Sequence, residues 1–211
     1  MTQGKLRRDS YHHGDLANAL IDAATDLARQ GGPEAVVLRE AARKVGVSAT
    51  AAYRHFAGHG DLIHDVKERC GVALLAHMRT ELDAGTPEAN PHDEAVRRLR
   101  ALGFGYIRFA LAEPGLFRTA FCHPDSPREE LPEDFKWPAY AILTEVLDEL
   151  TRLGMIDPGR RPFGEVFAWS TVHGLATLLV DGPLMAVPPP DREVIITGTL
   201  DAIINGICRT R

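Results

Sequence analysis

The segment from Ala35 to Phe56 constrains this chain more than any other. Leu38-Arg39-Glu40-Ala41-Ala42-Arg43-Lys44-Val45 reads as one short helix and Gly46-Val47-Ser48 as a tight turn. Ala49-Thr50-Ala51-Ala52-Tyr53-Arg54-His55-Phe56 reads as a second helix. Two short helices around a three-residue turn have the form of a helix-turn-helix, whose second helix can lie in the major groove of DNA. Ala41 and Ala42 are small enough for the helices to approach closely. Gly46 supplies the open or left-handed backbone that the turn needs. Val47 is expected to plug the space between the helices and Phe56 to close it from below, while Ser48 can cap the second helix by accepting from an orphan amide. Ala49, Thr50 and Ala51 then stand at the end that meets base edges, with Thr50 able to bond an edge or touch a thymine methyl. Tyr53 and His55 are placed to donate to phosphate oxygens. Arg39 is the longest-reaching candidate for a guanine.

Charge agrees with this only after it is divided along the chain. The net charge is −5, yet residues 1–69 hold 10 Lys/Arg against 9 Asp/Glu and residues 70–211 hold 14 against 20. The acidic excess therefore lies wholly in the later part. Arg7, Arg8, Arg39, Arg43, Lys44 and Arg54 cluster around the motif and can make a locally basic face. With 211 residues the chain can hold one large or two small cores. It contains no uninterrupted run of eighteen apolar residues, so no membrane span is expected, and no apolar segment follows the basic N-terminus as in a secretory signal. Cys70, Cys122 and Cys208 are few and scattered, which fits reduced cytoplasmic thiols better than a disulfide framework or a zinc site.

The remaining pattern is helical throughout, with no useful β-alternation and no internal repeat. Residues 1–10 are polar and could form a basic arm reaching phosphate or minor groove. Helices are expected over about 13–30, with an apolar face of Leu16, Leu20 and Leu27, over 60–83, 93–112 and 114–121. Others are expected over 135–153, 162–181 and, capped by Asp191, 191–210. The segment 162–181 is apolar on most sides and should be buried on most sides. Residues 123–134 and 182–190 read as loops. The fold class is all-α with about nine helices. A three-helix head at 1–59 carries the motif, and a larger regulatory and dimerisation domain spans 60–211.

The motif has company. Tyr11-His12-His13-Gly14-Asp15-Leu16, Leu38-Arg39-Glu40-Ala41-Ala42, Gly46-Val47-Ser48, Ala52-Tyr53-Arg54-His55-Phe56 and Leu62 keep a spacing that resembles the N-terminal domain of the TetR/AcrR family of bacterial transcriptional regulators. Far along the chain, Trp169-Ser170-Thr171-Val172-His173-Gly174 resembles the Trp-His-Gly signature of one class of C-terminal domain in that family. The resemblance implies a ligand-responsive homodimer, a repressor in the usual case, that binds a near-palindromic operator in double-stranded DNA and answers to an unknown small-molecule effector. It places DNA contacts at Arg39, Ser48, Ala49, Thr50, Ala51, Tyr53, Arg54, His55 and His59. The chain departs from the family pattern in three ways. His59 stands where Lys is frequent, which weakens a phosphate contact and opens it to pH. Val37 stands where a capping Ser or Thr is frequent. The second motif helix carries alanines where bulkier base readers could stand, so specificity leans on Arg39, Thr50 and DNA shape.

An effector pocket, if the later helices hold one, has its aromatic candidates in Phe104, Phe117, Phe121, Trp137, Tyr140 and Trp169, with Arg108 and His173 as polar partners. Core packing is the competing reading for each of them. His173 is read as a core histidine satisfied by one hydrogen bond, and Arg108 as facing solvent. His12 and His13 point apart on a helix and make a poor metal pair. No cofactor, metal or membrane partner is expected, and no phosphate-binding glycine loop or nucleophile elbow points to an enzyme. The alternative is a helical adaptor or small-molecule module that does not touch DNA. It gains if the basic and polar residues of the motif are not exposed together.

Overall fold

A computed structural model describes the backbone of residues 3–122 and 137–208, and side chains from residue 16 onward within those ranges. The described residues form nine α-helices and no strand. They are α1 (Gln3–Gly31), α2 (Leu38–Val45), α3 (Ala49–Ala52), α4 (His59–Ala84), α5 (Pro91–Ala112), α6 (Pro114–Ala120), α7 (Pro138–Arg152), α8 (Gly164–Val180) and α9 (Pro189–Ile207). Short 3-10 turns lie at Pro33–Ala35, Arg161–Phe163 and Pro183–Ala186. Helix α1 begins at Gln3 rather than near residue 13, so the backbone of the expected basic arm is helical from that point. The side chains of Arg7, Arg8, His12 and His13 lie outside the described residues, as does the acidic loop expected over 123–134.

Contacts divide the chain into two compact units, Met1–Cys70 with Glu113–Glu130, and Gly71–Ala112 with Leu131–Arg211. The division falls inside α4. In the first unit Leu20, Ala24 and Ala28 make a fully buried stripe on α1, and Leu38, Ala41 and Ala42 are the buried face of α2. Four alanines at this α1–α2 contact allow close approach of the backbones, and Leu20, Leu62 and Ile63 supply bulk worth about 1.5–3 kcal/mol each. Helix α6 belongs to this unit although it follows more than sixty residues after α3. Its Leu116, Phe117, Thr119 and Ala120 are buried, and it packs on α1. Gly115 makes that packing possible. A β-carbon there would run into the carbonyl oxygens of Ala28 and Arg29 at the end of α1, and Arg29 closes the same junction by pairing with Glu113 at 3.0 Å.

The second unit is built around α5, which packs on α7, α8 and α9. Its inward face carries Leu99, Leu102, Tyr106, Phe109 and Ala110, all buried. Gly105 lets α5 lie against the α4 backbone at His77 and Met78. Ion pairs fasten the edges: Arg100 with Asp201, Arg98 with Glu149, and Arg108 with Glu81 and Glu193. Arg161 holds Asp148 at 2.7 Å and the buried Glu165 at 2.8 Å, joining the end of α7 to the start of α8. Burial pushes the Glu165 carboxyl up, but the Arg161 guanidinium and further hydrogen bonds outweigh it and hold the group below its ordinary value.

Two expectations need correction here, and a third feature bears on the expected absence of a membrane span. Helix α8 is not buried on most sides: Val166, Phe167 and Leu178 are exposed, as is Phe163 just before it. Its apolar surface exceeds what its own unit can cover. Asp191 does not cap α9, which starts two residues earlier with Pro188 as the flanking residue and no side-chain cap. Finally, the stretch Arg161–Val180 is long and apolar enough to cross a bilayer by length and composition, with a mean hydropathy of 1.3. Its polar residues are mostly Ser, Thr and Gly, which lower hydropathy little. The Arg161–Glu165 ion pair and the hydrogen bonds of Trp169 and His173 fit a helix with one side in a protein core, and core helices of soluble proteins meet the same criterion.

Candidate nucleic-acid interface and effector cluster

The motif is fixed by local chemistry. Gly46 has φ +79° and ψ 27°, the left-handed conformation that ends α2, and its amide reaches the carbonyls of Ala42 and Arg43. The Val47 amide bonds the Ala42 carbonyl at 3.0 Å, completing the turn. Ser48 is the N-cap of α3, its hydroxyl oxygen accepting from the Ala51 amide at 3.2 Å. Val37 occupies the corresponding position before α2 in an extended conformation with no side-chain cap, as its identity requires. Ala52 and Phe56 are buried and anchor the second helix; Val47 is only half-buried and plugs less than expected.

Helix α3 is shorter than the sequence predicts. Regular geometry ends at Ala52, and the amides of Arg54 and His55 bond three residues back, to Ala51 and Ala52. The chain tightens there because Phe56 must turn inward immediately after. Tyr53, Arg54 and His55 therefore stand on a turn at the end of α3.

The surface presented is polar and cationic. Arg39, Lys44, Ser48, Thr50, Tyr53, Arg54 and His59 are exposed, and Ala49, Ala51 and His55 are half-buried. Arg43 is engaged with Glu40 at 2.8 Å, whereas Arg39, Lys44 and Arg54 have no ion pair among the described residues. His59 is the first residue of α4, whose start is closed by Asp61 accepting from the Ala57 amide at 2.9 Å. This arrangement can do what a major-groove reader needs: a small-residue helix face, a free guanidinium on the neighbouring helix, and hydroxyl and cationic groups around them.

The effector candidates separate. Phe117 and Phe121 belong to the first unit, where their rings meet edge-on at 5.3 Å. Phe104, Arg108, Trp137, Tyr140, Trp169 and His173 belong to the second. Arg108 is exposed, pairs with two carboxylates and lies over the Phe104 ring at 5.2 Å. The half-buried Trp169 and His173 share a face of α8, and both reach Tyr106 on α5. The indole N–H of Trp169 donates to the Tyr106 hydroxyl at 3.2 Å, and that hydroxyl lies 2.8 Å from His173 Nδ1. Burial pushes the phenol up and the imidazole down, so both groups are neutral at pH 7. The phenol and Nδ1 share one hydrogen bond whose donor is set by the imidazole tautomer. Tyr140 packs edge-on against Trp169 at 6.3 Å, and Trp137 covers the α4 backbone at Gly71. Tyr106 is the residue sequence reasoning missed. Its only signal was a tyrosine inside an apolar stripe, where a buried hydroxyl needs a partner.

Comparison with known proteins assigns both parts of the chain. Residues 20–66 match the family described as "Bacterial regulatory proteins, tetR family", and residues 99–203 match "Tetracyclin repressor-like, C-terminal domain". An uncharacterised HTH-type transcriptional regulator of Mycobacterium tuberculosis is 25% identical over 176 residues, covering 82% of this chain and 70% of that protein. A protein of unknown function from Rhodococcus sp. RHA1 superposes with a TM-score of 0.71 at 25% identity, covering 94% of this chain and 98% of the other. A TetR-family transcriptional regulator from Haemophilus influenzae shares the fold at a TM-score of 0.54 and 13% identity, covering 90% and 97%. With the turn geometry, the exposed face of α3 and two matches that together run from the motif to α9, the chain belongs to the TetR family of DNA-binding transcriptional regulators.

Proposed function

We propose that the protein is a cytoplasmic, ligand-responsive repressor that binds a near-palindromic operator as a homodimer and carries no enzymatic activity of its own. The observation that carries the reading is the exposed surface of Arg39, Thr50, Tyr53 and Arg54 around a capped α3. Nine of its residues form the proposed contact: Arg39, Ser48, Ala49, Thr50, Ala51, Tyr53, Arg54, His55 and His59. In the dimer the two copies of α3 would enter successive major grooves about 34–36 Å apart.

Support for the homodimer comes from α8 and α9. Their outward sides are nearly free of charge: Phe163, Val166, Phe167, Ser170, Gly174 and Leu178 beside the first, and Val194, Gly198, Ala202 and Gly206 on the second. At Gly174 and Gly198 an added β-carbon would meet nothing. Such a face on two neighbouring helices suits a symmetric four-helix contact. The buried Tyr106 with the half-buried Trp169, His173 and Tyr140 around it supports an effector site in the second unit. Helix α4, continuous from His59 to Ala84, supports its role as the lever between effector and DNA. That coupling requires an effector to bind the two states with affinities a few kcal/mol apart.

The test is fluorescence anisotropy on the DNA upstream of the protein's own gene, with light scattering for stoichiometry. The expected result is one dimer per site, with affinity falling steeply as salt rises. Absent binding, or binding indifferent to salt, overturns the reading.

A further inference from the structure

Resting on the reading of α3 as the groove-entering helix, we infer that the base pairs facing α3 are read through thymine methyl groups rather than through hydrogen bonds to purines. Between Ser48 and Ala52 the chain offers almost no hydrogen-bonding side chain. The Ser48 oxygen is occupied by the Ala51 amide. Ala52 is fully buried. What faces outward is the exposed Thr50, with one hydroxyl and one methyl, between the half-buried β-carbons of Ala49 and Ala51. Bidentate recognition of guanine needs Arg or Lys, and bidentate recognition of adenine needs Asn or Gln. None of these stands on α3. In the major groove thymine alone presents an apolar group, and alanine and threonine methyls are its natural partners.

The small side chains also decide how close the helix comes. With nothing longer than threonine, the α3 backbone can settle against the base edges, where a 5-methyl fills the gap and its absence leaves a void. A bidentate guanine contact falls instead to Arg39, exposed on α2 without an ion pair among the described residues. The half-site is therefore a thymine-bearing core under α3 with a guanine within reach of Arg39.

The experiment changes the DNA and leaves the protein intact. The full chain selects its operator from random duplexes, and each thymine of the selected half-site is then replaced by deoxyuridine, which removes only the 5-methyl. Binding should weaken about three- to fourfold for each methyl facing α3, the value of one buried methyl-sized group, and remain unchanged elsewhere. A cycle with Ala51→Gly assigns the contact: any general weakening by the glycine cancels, and the uracil penalty at the partner thymine should largely disappear. Operator binding insensitive to every uracil, or a selected core without thymine, overturns the inference while leaving the regulator reading standing. Failure to enrich any sequence overturns both.

Discussion

Helix α3 has four residues, three of them alanine, and takes its place from a glycine and a serine within three residues of its start. Helix α8 has seventeen residues and is held through Tyr106, 63 residues before Trp169 and 67 before His173. The first is made by backbone conformation and one cap, and its outer face is left for another molecule. The second is made by long-range side-chain hydrogen bonds on one side, with an apolar surface left uncovered on the other. A surface meant to enter a groove profits from short side chains on a rigid, locally determined turn. The cluster proposed as an effector site consists of polar groups whose hydrogen bonds an incoming group could replace.

Four substitutions probe the two units to which these helices belong, two in each. The largest effect is expected at Gly115. Valine there must displace the carbonyls of Ala28 and Arg29, which are backbone and cannot rotate away. Urea denaturation should show a loss of about 3 kcal/mol, the upper range for overpacking. A near-neutral result would mean that α6 is not locked to α1.

Next is Arg161→Ala, which strands the buried Glu165 carboxylate. The expected cost at pH 7 is about 2 kcal/mol. Because the carboxyl is held below its ordinary value of 4.5 in the folded protein, its contribution is present above that pH and is lost as pH falls through the folded value. Denaturation at pH 7 and pH 3.5 should therefore show the gap between wild type and variant narrowing in acid. A gap that widens would contradict the assignment.

Tyr106→Phe removes the hydroxyl that accepts from Trp169 and hydrogen-bonds His173 Nδ1. About 1.5 kcal/mol should be lost, since both partners are half-buried. The imidazole should also titrate differently by NMR, and an unchanged His173 titration would show that the hydrogen bond is not made. The smallest effect belongs to Ser48→Ala, about 1 kcal/mol from loss of the α3 cap, read by thermal denaturation. No change would mean that the turn is held by Gly46 alone.

The contrast also explains what was legible from sequence. The turn, the serine cap and the missing cap at Val37 were readable because each depends on residues a few positions apart, whereas Ala41 and Ala42, expected to bring the two motif helices together, are buried on the side of α2 that packs on α1. The length of α3 was overestimated: helical spacing continues to Phe56, but the tertiary demand that Phe56 turn inward shortens the regular part. Membership of α6 in the first unit and the part played by Tyr106 were not readable. Both rest on contacts between residues more than sixty positions apart, on which local pattern is silent. The open side of α8 was misjudged because periodicity measures how apolar a helix is, without saying whether its own chain supplies the cover.

The central claim is that two copies of the α3 surface meet DNA together. Hydroxyl-radical footprinting of the full chain on its selected operator tests this most directly. The account predicts two protected patches related by a two-fold axis, their centres about 10–10.5 base pairs apart or a multiple of that spacing, with Arg39→Ala weakening both alike. A single unpaired patch, or protection unaffected by Arg39→Ala, would contradict it.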